Sequence, residues 1–229
     1  MRFPNAAKGV KRIFSAEILN LLAKIFLAVA VVIVVIGYAG AVGTAGNAGI
    51  ENSEAALDVM GGSILIAAIF ALAWAVLGII GFIMNIVGIV NASHDEPNFK
   101  SALLFLIVGI VTAILAGIFY NSGFVSSLLY SLSNLLNLFV YIFVIAGVVK
   151  LADQINRGDV SAKGTNVLKL IIVINILALI ASLISTFMGG MVASVTAGVL
   201  LLVGIVLSIV QYFMYLSFLS KAKKMLAEK

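Results

Sequence analysis

The sequence has very few charged residues and no cysteine. Only 10% of its 229 residues are Asp, Glu, Lys or Arg, and 63% are hydrophobic. Without cysteine the chain can form neither a disulfide nor a thiolate site. A soluble domain has about 25% charged and about 45–50% apolar residues. This composition excludes an ordinary soluble fold, and the mean hydropathy of +1.25 indicates a protein embedded in lipid.

Four stretches contain no charged residue at all: 25–50, 59–94, 101–149 and 170–220. One membrane-spanning helix needs roughly 20 residues, and the last two stretches have about 50 each. Each of these two must therefore hold two spans with an uncharged turn between them. Residues suited to such turns occur at Asn121-Ser122-Gly123 and Met188-Gly189-Gly190. Because backbone groups in lipid must be hydrogen-bonded within their own segment, the spans are expected to be helices.

The predicted fold is all-α, a polytopic membrane protein with about six transmembrane helices arranged as three helical hairpins. The predicted spans are 21–40, 62–90, 101–120, 127–149, 167–187 and 191–219. A basic N-terminal segment (1–20) precedes the transmembrane domain (21–220), and a basic tail (221–229) follows it.

The inner ends of the second and fourth spans are similar. Gly88-Ile89-Val90-Asn91 stands in the place of Gly147-Val148-Val149-Lys150, and an acid soon follows each. The end of the sixth span, Ser217-Phe218-Leu219-Ser220-Lys221, is a looser match, and together these ends are consistent with a triplicated hairpin. The similarity is equally consistent with the usual change from apolar to charged residues where any span leaves the membrane.

The charges predict an orientation. With six spans, all fourteen Lys and Arg residues fall on one side, and the other side carries Glu51, Glu54 and Asp58. Cytoplasmic loops are enriched in Lys and Arg, so both termini are predicted to be cytoplasmic in a multi-pass protein of the cell membrane. As an alternative, the first apolar run is a signal peptide cleaved after Ala39-Gly40-Ala41.

The N-terminal segment has two interpretations as well. It is either an extension of the first span whose lysines reach the headgroups, or an interfacial helix that binds anionic lipid.

Small residues recur every four positions in three spans. Helices in lipid associate through such rows because small side chains allow close backbone contact. The predicted helix-packing residues are Ala67, Ala71, Ala75, Gly109, Ala113, Gly117, Gly190, Ser194 and Gly198.

The spans contain almost no ionisable groups, which argues against proton-coupled transport and voltage sensing. What remains is a set of polar side chains: Asn85, Asn134, Asn137, Asn175, Gln211, Tyr141 and Tyr212. We interpret them as interhelical hydrogen-bonding groups. Alternatively, they line a small cavity for an uncharged or polar solute.

The loop His94-Asp95-Glu96 has side chains that can bind metal or transfer protons. Three adjacent loop residues rarely close around one ion, however, and no nucleophile with a partner stands nearby. We therefore predict no catalytic residues, no metal site and no cofactor.

These observations favour a non-enzymatic membrane protein, a helix-packing subunit or accessory component of a membrane complex. Its expected partners are the lipid bilayer and a membrane-protein partner or further copies of itself, and not nucleic acid. The alternative is a small transporter or transporter subunit, and a membrane enzyme acting on lipid ranks last.

Overall fold

Six α-helices make up nearly all of the chain that the structure describes. The structure is a computed structural model and describes residues 2–48, 53–187 and 190–228. The helices are α1 (Pro4–Ala48), α2 (Ser53–Ala92), α3 (Pro97–Ile118), α4 (Gly123–Gln154), α5 (Gly158–Phe187) and α6 (Gly190–Ala227). No strand occurs among these residues, and all six helices are long and apolar enough to cross a membrane. The prediction of an all-α, multi-pass membrane protein is confirmed.

Several helices continue beyond the predicted spans. α1 begins at Pro4 instead of residue 21, and α5 begins at Gly158 instead of residue 167. The predicted division at residues 20 and 220 therefore falls inside α1 and α6. The reason is physical: charged residues mark where a helix leaves lipid, and Lys, Glu, Leu and Ala remain good helix formers in water. Part of the predicted turn at 188–190, together with Glu51, lies outside the described residues.

The sharp connection between α4 and α5 comes from the way α4 ends. Asn156 has a φ of 56°, the left-handed conformation that often follows a helix. The N–H of Arg157 donates to the carbonyl of Ala152 at 2.8 Å, and the N–H of Asn156 donates to that of Asp153 at 3.1 Å. This pair of hydrogen bonds is a Schellman motif. It lets α5 begin after a connection of only three residues, 155–157.

The helices divide into two compact units. The first comprises Met1–Phe14 and Ile86–Lys229, and the second comprises Ser15–Asn85. In the first unit α3 packs along α4, α4 along α5, and α5 along α6.

Two hydroxyl groups fix the contact between α3 and α4. Ser133 Oγ donates to the carbonyl of Gly109 at 3.0 Å, and Ser126 Oγ donates to the carbonyl of Ala116 at 3.0 Å. These bonds cross from one helix to the other, so they set the register of the hairpin.

A cluster of buried apolar residues holds the first unit together near the loop ends of its helices. Its largest fully buried members include Tyr215, Phe99, Phe218, Ile13 and Ile89. The cluster combines the start of α1 with the ends of α2, α4 and α6 and the starts of α3 and α5. The basic segments at these helix ends are therefore part of the packed structure.

The exposed side chains of the first unit change character along its helices. Beside the buried cluster they are polar, among them Lys150, Asp153, Thr165 and Lys221. Farther along they are large and apolar, among them Leu128, Leu135, Ile172 and Ile209. A polar exterior over a buried apolar core is the pattern of a bundle in water, whereas an apolar exterior of this extent requires lipid. The loop end of this unit therefore faces water, and the remaining length lies in the bilayer.

The second unit is an antiparallel pair formed by parts of α1 and α2. The rings of Phe26 and Phe70 lie 5.8 Å apart. Nearer the end of α1, the Ser63 side chain fills the space beside Gly37. The glycine leaves room for the neighbouring helix, as expected for helices that pack in lipid.

Candidate functional site

Polar side chains with specific partners gather at the loop end of the first unit. Asp95 accepts hydrogen bonds at the start of α1: its Oδ2 from the N–H of Ala6 at 2.7 Å and its Oδ1 from the amide of Asn5 at 3.0 Å. A carboxylate at a helix N terminus also complements the helix dipole. Asp95 thus fastens the start of α1 to the connection between α2 and α3.

Glu96 is a buried carboxylate that begins α3. The residue is only 2% exposed, and its Oε1 accepts hydrogen bonds from the N–H of Asn98 at 3.4 Å and from the Asn98 amide at 3.1 Å. The Nζ of Lys150 on α4 lies 3.3 Å from the same oxygen. These contacts provide the partners that a buried charge requires. They also join the start of α3 to the end of α4.

The three consecutive residues His94, Asp95 and Glu96 serve different partners. Nδ1 of His94 lies 2.9 Å from the carbonyl of Val90. A carbonyl only accepts, so this nitrogen carries the proton. Among the described residues no three His, Asp or Glu side chains lie close enough to hold a metal ion. The loop acts as a set of helix caps.

Two arginines hold the end of α4. Arg2 Nη1 donates to the carbonyl of Gln154 at 2.9 Å. Arg157 Nε donates to Asp159 at 3.0 Å, and its Nη1 lies 3.5 Å from a carboxylate oxygen of Glu228. The hydrogen bond to Asp159 raises the pKa of the Arg157 guanidinium above its ordinary value. The end of α4, the start of α5 and the C-terminal segment are linked in this way.

The predicted polar membrane residues are spread over both units. Asn85 belongs to the second unit, and Asn134, Asn137, Asn175, Gln211, Tyr141 and Tyr212 belong to the first. The three asparagines of the first unit are exposed, while Gln211 and Tyr212 are half-buried. Asn175 donates to the carbonyl of Ile171 in its own helix at 2.8 Å. The ring of Tyr141 meets that of Tyr215 edge-on at 5.6 Å, which joins α4 to α6.

Two grooves in the membrane part are apolar. One of about 240 Å³ runs between α4 and α5, and Asn175 is the single amide among its aliphatic lining residues. Another, of about 400 Å³, lies in the second unit and is lined by Ala, Val and Ile side chains, including Ala67 and Ala71. Such walls suit hydrocarbon, because a polar solute would lose its hydrogen bonds to water there.

The row of small residues on α3 lies only partly inside the helix pair. A Cβ added at Gly109 would lie 3.5 Å from the Cβ of Leu136, so this glycine stands in the contact with α4. Ala113 and Gly117 are exposed, and a Cβ at Gly117 would meet nothing within 4 Å.

The rows of small residues on α2 and α6 differ in their burial. On α2, Ala67 is buried and Ala71 and Ala75 are half-buried. On α6, Gly198 is exposed with open space beside it, while the side-chain positions of Gly190 and Ser194 lie outside the described part of the chain.

Two glycines outside these rows make a close backbone contact between helices of the first unit. A Cβ at Gly9 would lie 2.5 Å from the carbonyl oxygen of Gly88, and one at Gly88 would lie 2.7 Å from Ile13. Gly147 is comparable, since a Cβ there would lie 2.8 Å from the ring of Phe99. Gly88 and Gly147 occupy the same place in the two similar span ends, which is the sequence signal that identifies them.

Neither a protein-family model, nor a curated protein, nor a solved structure matches this chain.

Proposed function

We propose that this protein is a non-enzymatic subunit of a membrane complex, which assembles with copies of itself or with another membrane protein. The feature that carries the proposal is the open face of small residues on α3. Gly109 supports a helix contact within the chain, whereas Gly117 of the same row is exposed and has no neighbour within 4 Å of its Cβ position. Small residues in lipid favour close helix association, so the open part of the row suits a helix from outside the chain.

The chemistry of the other side chains supports the same proposal. Asp95 and Glu96 are engaged at helix termini, and Asp159 is engaged with Arg157. The grooves described above are apolar, which gives less support to a solute transporter.

We further propose that the loop end faces the cytoplasm and that the protein resides in the cell membrane. The support is the one-sided distribution of all fourteen Lys and Arg residues, since cytoplasmic loops are enriched in these residues.

The absence of cysteine makes this orientation directly testable. Asn121→Cys places a thiol in the turn between α3 and α4, and Asp153→Cys places one at the exposed end of α4. We expect a membrane-impermeant maleimide to label the first variant in intact cells and the second only after permeabilisation. The cysteine-free parent is the background control. The reverse labelling pattern would contradict the proposed orientation.

Assembly is tested by affinity purification from the native membrane in mild detergent, followed by mass measurement of the intact complex. We expect a stoichiometric partner or a homo-oligomer. Gly117→Leu should release the chain as a monomer while its melting temperature stays within a few degrees of the parent, because no neighbour within the chain is displaced.

The matched control is Gly204→Leu, which adds the same volume beside open space on α6, outside the predicted rows. This variant should retain the complex. A parent protein that runs as a monomer would overturn the proposed function.

A further inference from the structure

The first turns of α1 carry a strip of positive charge on their exposed side. We call Lys8, Lys11 and Arg12 the α1 basic strip, and all three are exposed. They stand at positions i, i+3 and i+4, so they share one face of the helix. Among the described residues none of the three side chains has an ion-pair partner.

The opposite face of the same turns is packed against the rest of the first unit. Ala6, Val10 and Ile13 are fully buried in the core of the first unit, and Gly9 lies against Gly88 of α2. An interfacial amphipathic helix must place its apolar face in the lipid. This face is occupied by protein, so the basic strip belongs to the side of these turns that remains exposed.

A further positive charge lies beside the strip. Nζ of Lys223 on α6 is 4.5 Å from the centre of the Phe14 ring. Phe14 follows Lys11 by three residues and therefore neighbours it on the helix surface. Two acids near the start of α1 have other partners, since Asp95 caps α1 and Glu96 pairs with Lys150.

This arrangement is unfavourable for α1 taken alone. Like charges at i, i+3 and i, i+4 repel one another, and the N-terminal turns also carry the positive end of the helix dipole. The lysines of α6 lie near its C terminus, where the dipole favours them. Negative charge from outside the chain would therefore stabilise the basic strip.

We propose that the α1 basic strip, with Lys223 at its edge, binds the phosphates of anionic phospholipid headgroups. The contact between Lys223 and Phe14 places the strip beside the part of α6 that directly follows its charge-free stretch, which ends at Ser220. Basic clusters that immediately follow a membrane span are positioned for anionic lipid. This inference is independent of the proposed assembly function, because a monomer would bind the same headgroups.

The test uses the full-length protein in mild detergent with either phosphatidylglycerol or phosphatidylcholine added. We expect phosphatidylglycerol to bind preferentially in native mass spectrometry and to raise the melting temperature. The triple variant Lys8→Gln, Lys11→Gln, Arg12→Gln should lose phosphatidylglycerol affinity by at least about tenfold. In detergent alone its melting temperature should equal or exceed that of the parent, because the repulsion within α1 has been removed.

The control triple Lys100→Gln, Lys169→Gln, Lys224→Gln removes the same charge from three other exposed positions. It should keep most of the response to phosphatidylglycerol. Inorganic phosphate, added in place of lipid, should not reproduce that response. Equal losses in the two triples, an equal response to phosphatidylcholine, or a full response to inorganic phosphate would each overturn the proposal.

Discussion

Replacing Gly9 with alanine is expected to lower the free energy of unfolding by about 1–3 kcal/mol, the usual cost of overpacking a tight core. The added Cβ would lie 2.5 Å from the carbonyl oxygen of Gly88 and 2.7 Å from the backbone nitrogen of Ala92. Both are backbone atoms, so the clash cannot be relieved by rotating a side chain. α1 and α2 must move apart where they enter the buried cluster of the first unit.

The destabilisation expected for Gly9→Ala is opposite in sign to the effect of helix propensity. Alanine is favoured over glycine by about 1 kcal/mol in an exposed helix, so propensity alone predicts stabilisation. Gly117→Ala is the matched control, because its Cβ meets no neighbour and it should unfold at the same or a higher temperature. Thermal unfolding of both variants in one detergent provides the comparison. Equal melting temperatures would show that the approach of Gly9 to Gly88 is not tight.

Phe99→Ala is expected to cost about 3–5 kcal/mol, as for other fully buried phenylalanines. Phe99 is 0% exposed, and its ring occupies the space left by the missing side chain of Gly147. The truncation leaves a cavity between α3 and α4 beside the capping carboxylate of Glu96. Leu104→Ala on the same helix is the control, because Leu104 is 62% exposed and its loss should be small.

A second change at Gly147 tests whether the ring and the glycine fit each other. Gly147→Val alone should destabilise the protein, since its Cβ would lie 2.8 Å from the Phe99 ring. Combined with Phe99→Ala, the valine fills part of the cavity, so the double variant should be more stable than the sum of the single effects predicts. A coupling of about 0.5–3 kcal/mol is expected for residues in contact. Strictly additive losses would contradict the proposed fit.

The number and type of the helices could be predicted because lipid imposes a simple rule on composition. The stretches 101–149 and 170–220 are each too long for a single span, and each of them contributes to two helices. The helix ends could not be predicted in the same way. A charge such as Lys24 or Lys169 marks where a chain meets water, but the helix continues wherever packing on the water side supports it.

The faces by which the helices pack could be predicted from the sequence only in part. A spacing of four locates Gly109 but then continues to the exposed Gly117, whereas the buried stripe of α3 runs through Ala102, Leu106, Gly109, Thr112 and Ala116. A helix has 3.6 residues per turn, so a face is followed by steps of three and four in alternation. The approach of Gly9 to Gly88 was missed for another reason: it depends on which helices are neighbours, and spacing within one helix does not contain that information.

The contacts of the N terminus have a consequence for biogenesis. The start of α1 is made before its partners, because Asp95 caps it and Arg2 binds the carbonyl of Gln154. The partners of this segment are therefore made about 90 and about 150 residues later. The contacts with Gly88 and Asp95 can form once the connection between α2 and α3 has been synthesised, whereas the contact with Gln154 must wait for α4. The start of α1 can therefore complete its contacts at the loop end only after these later helices have been made.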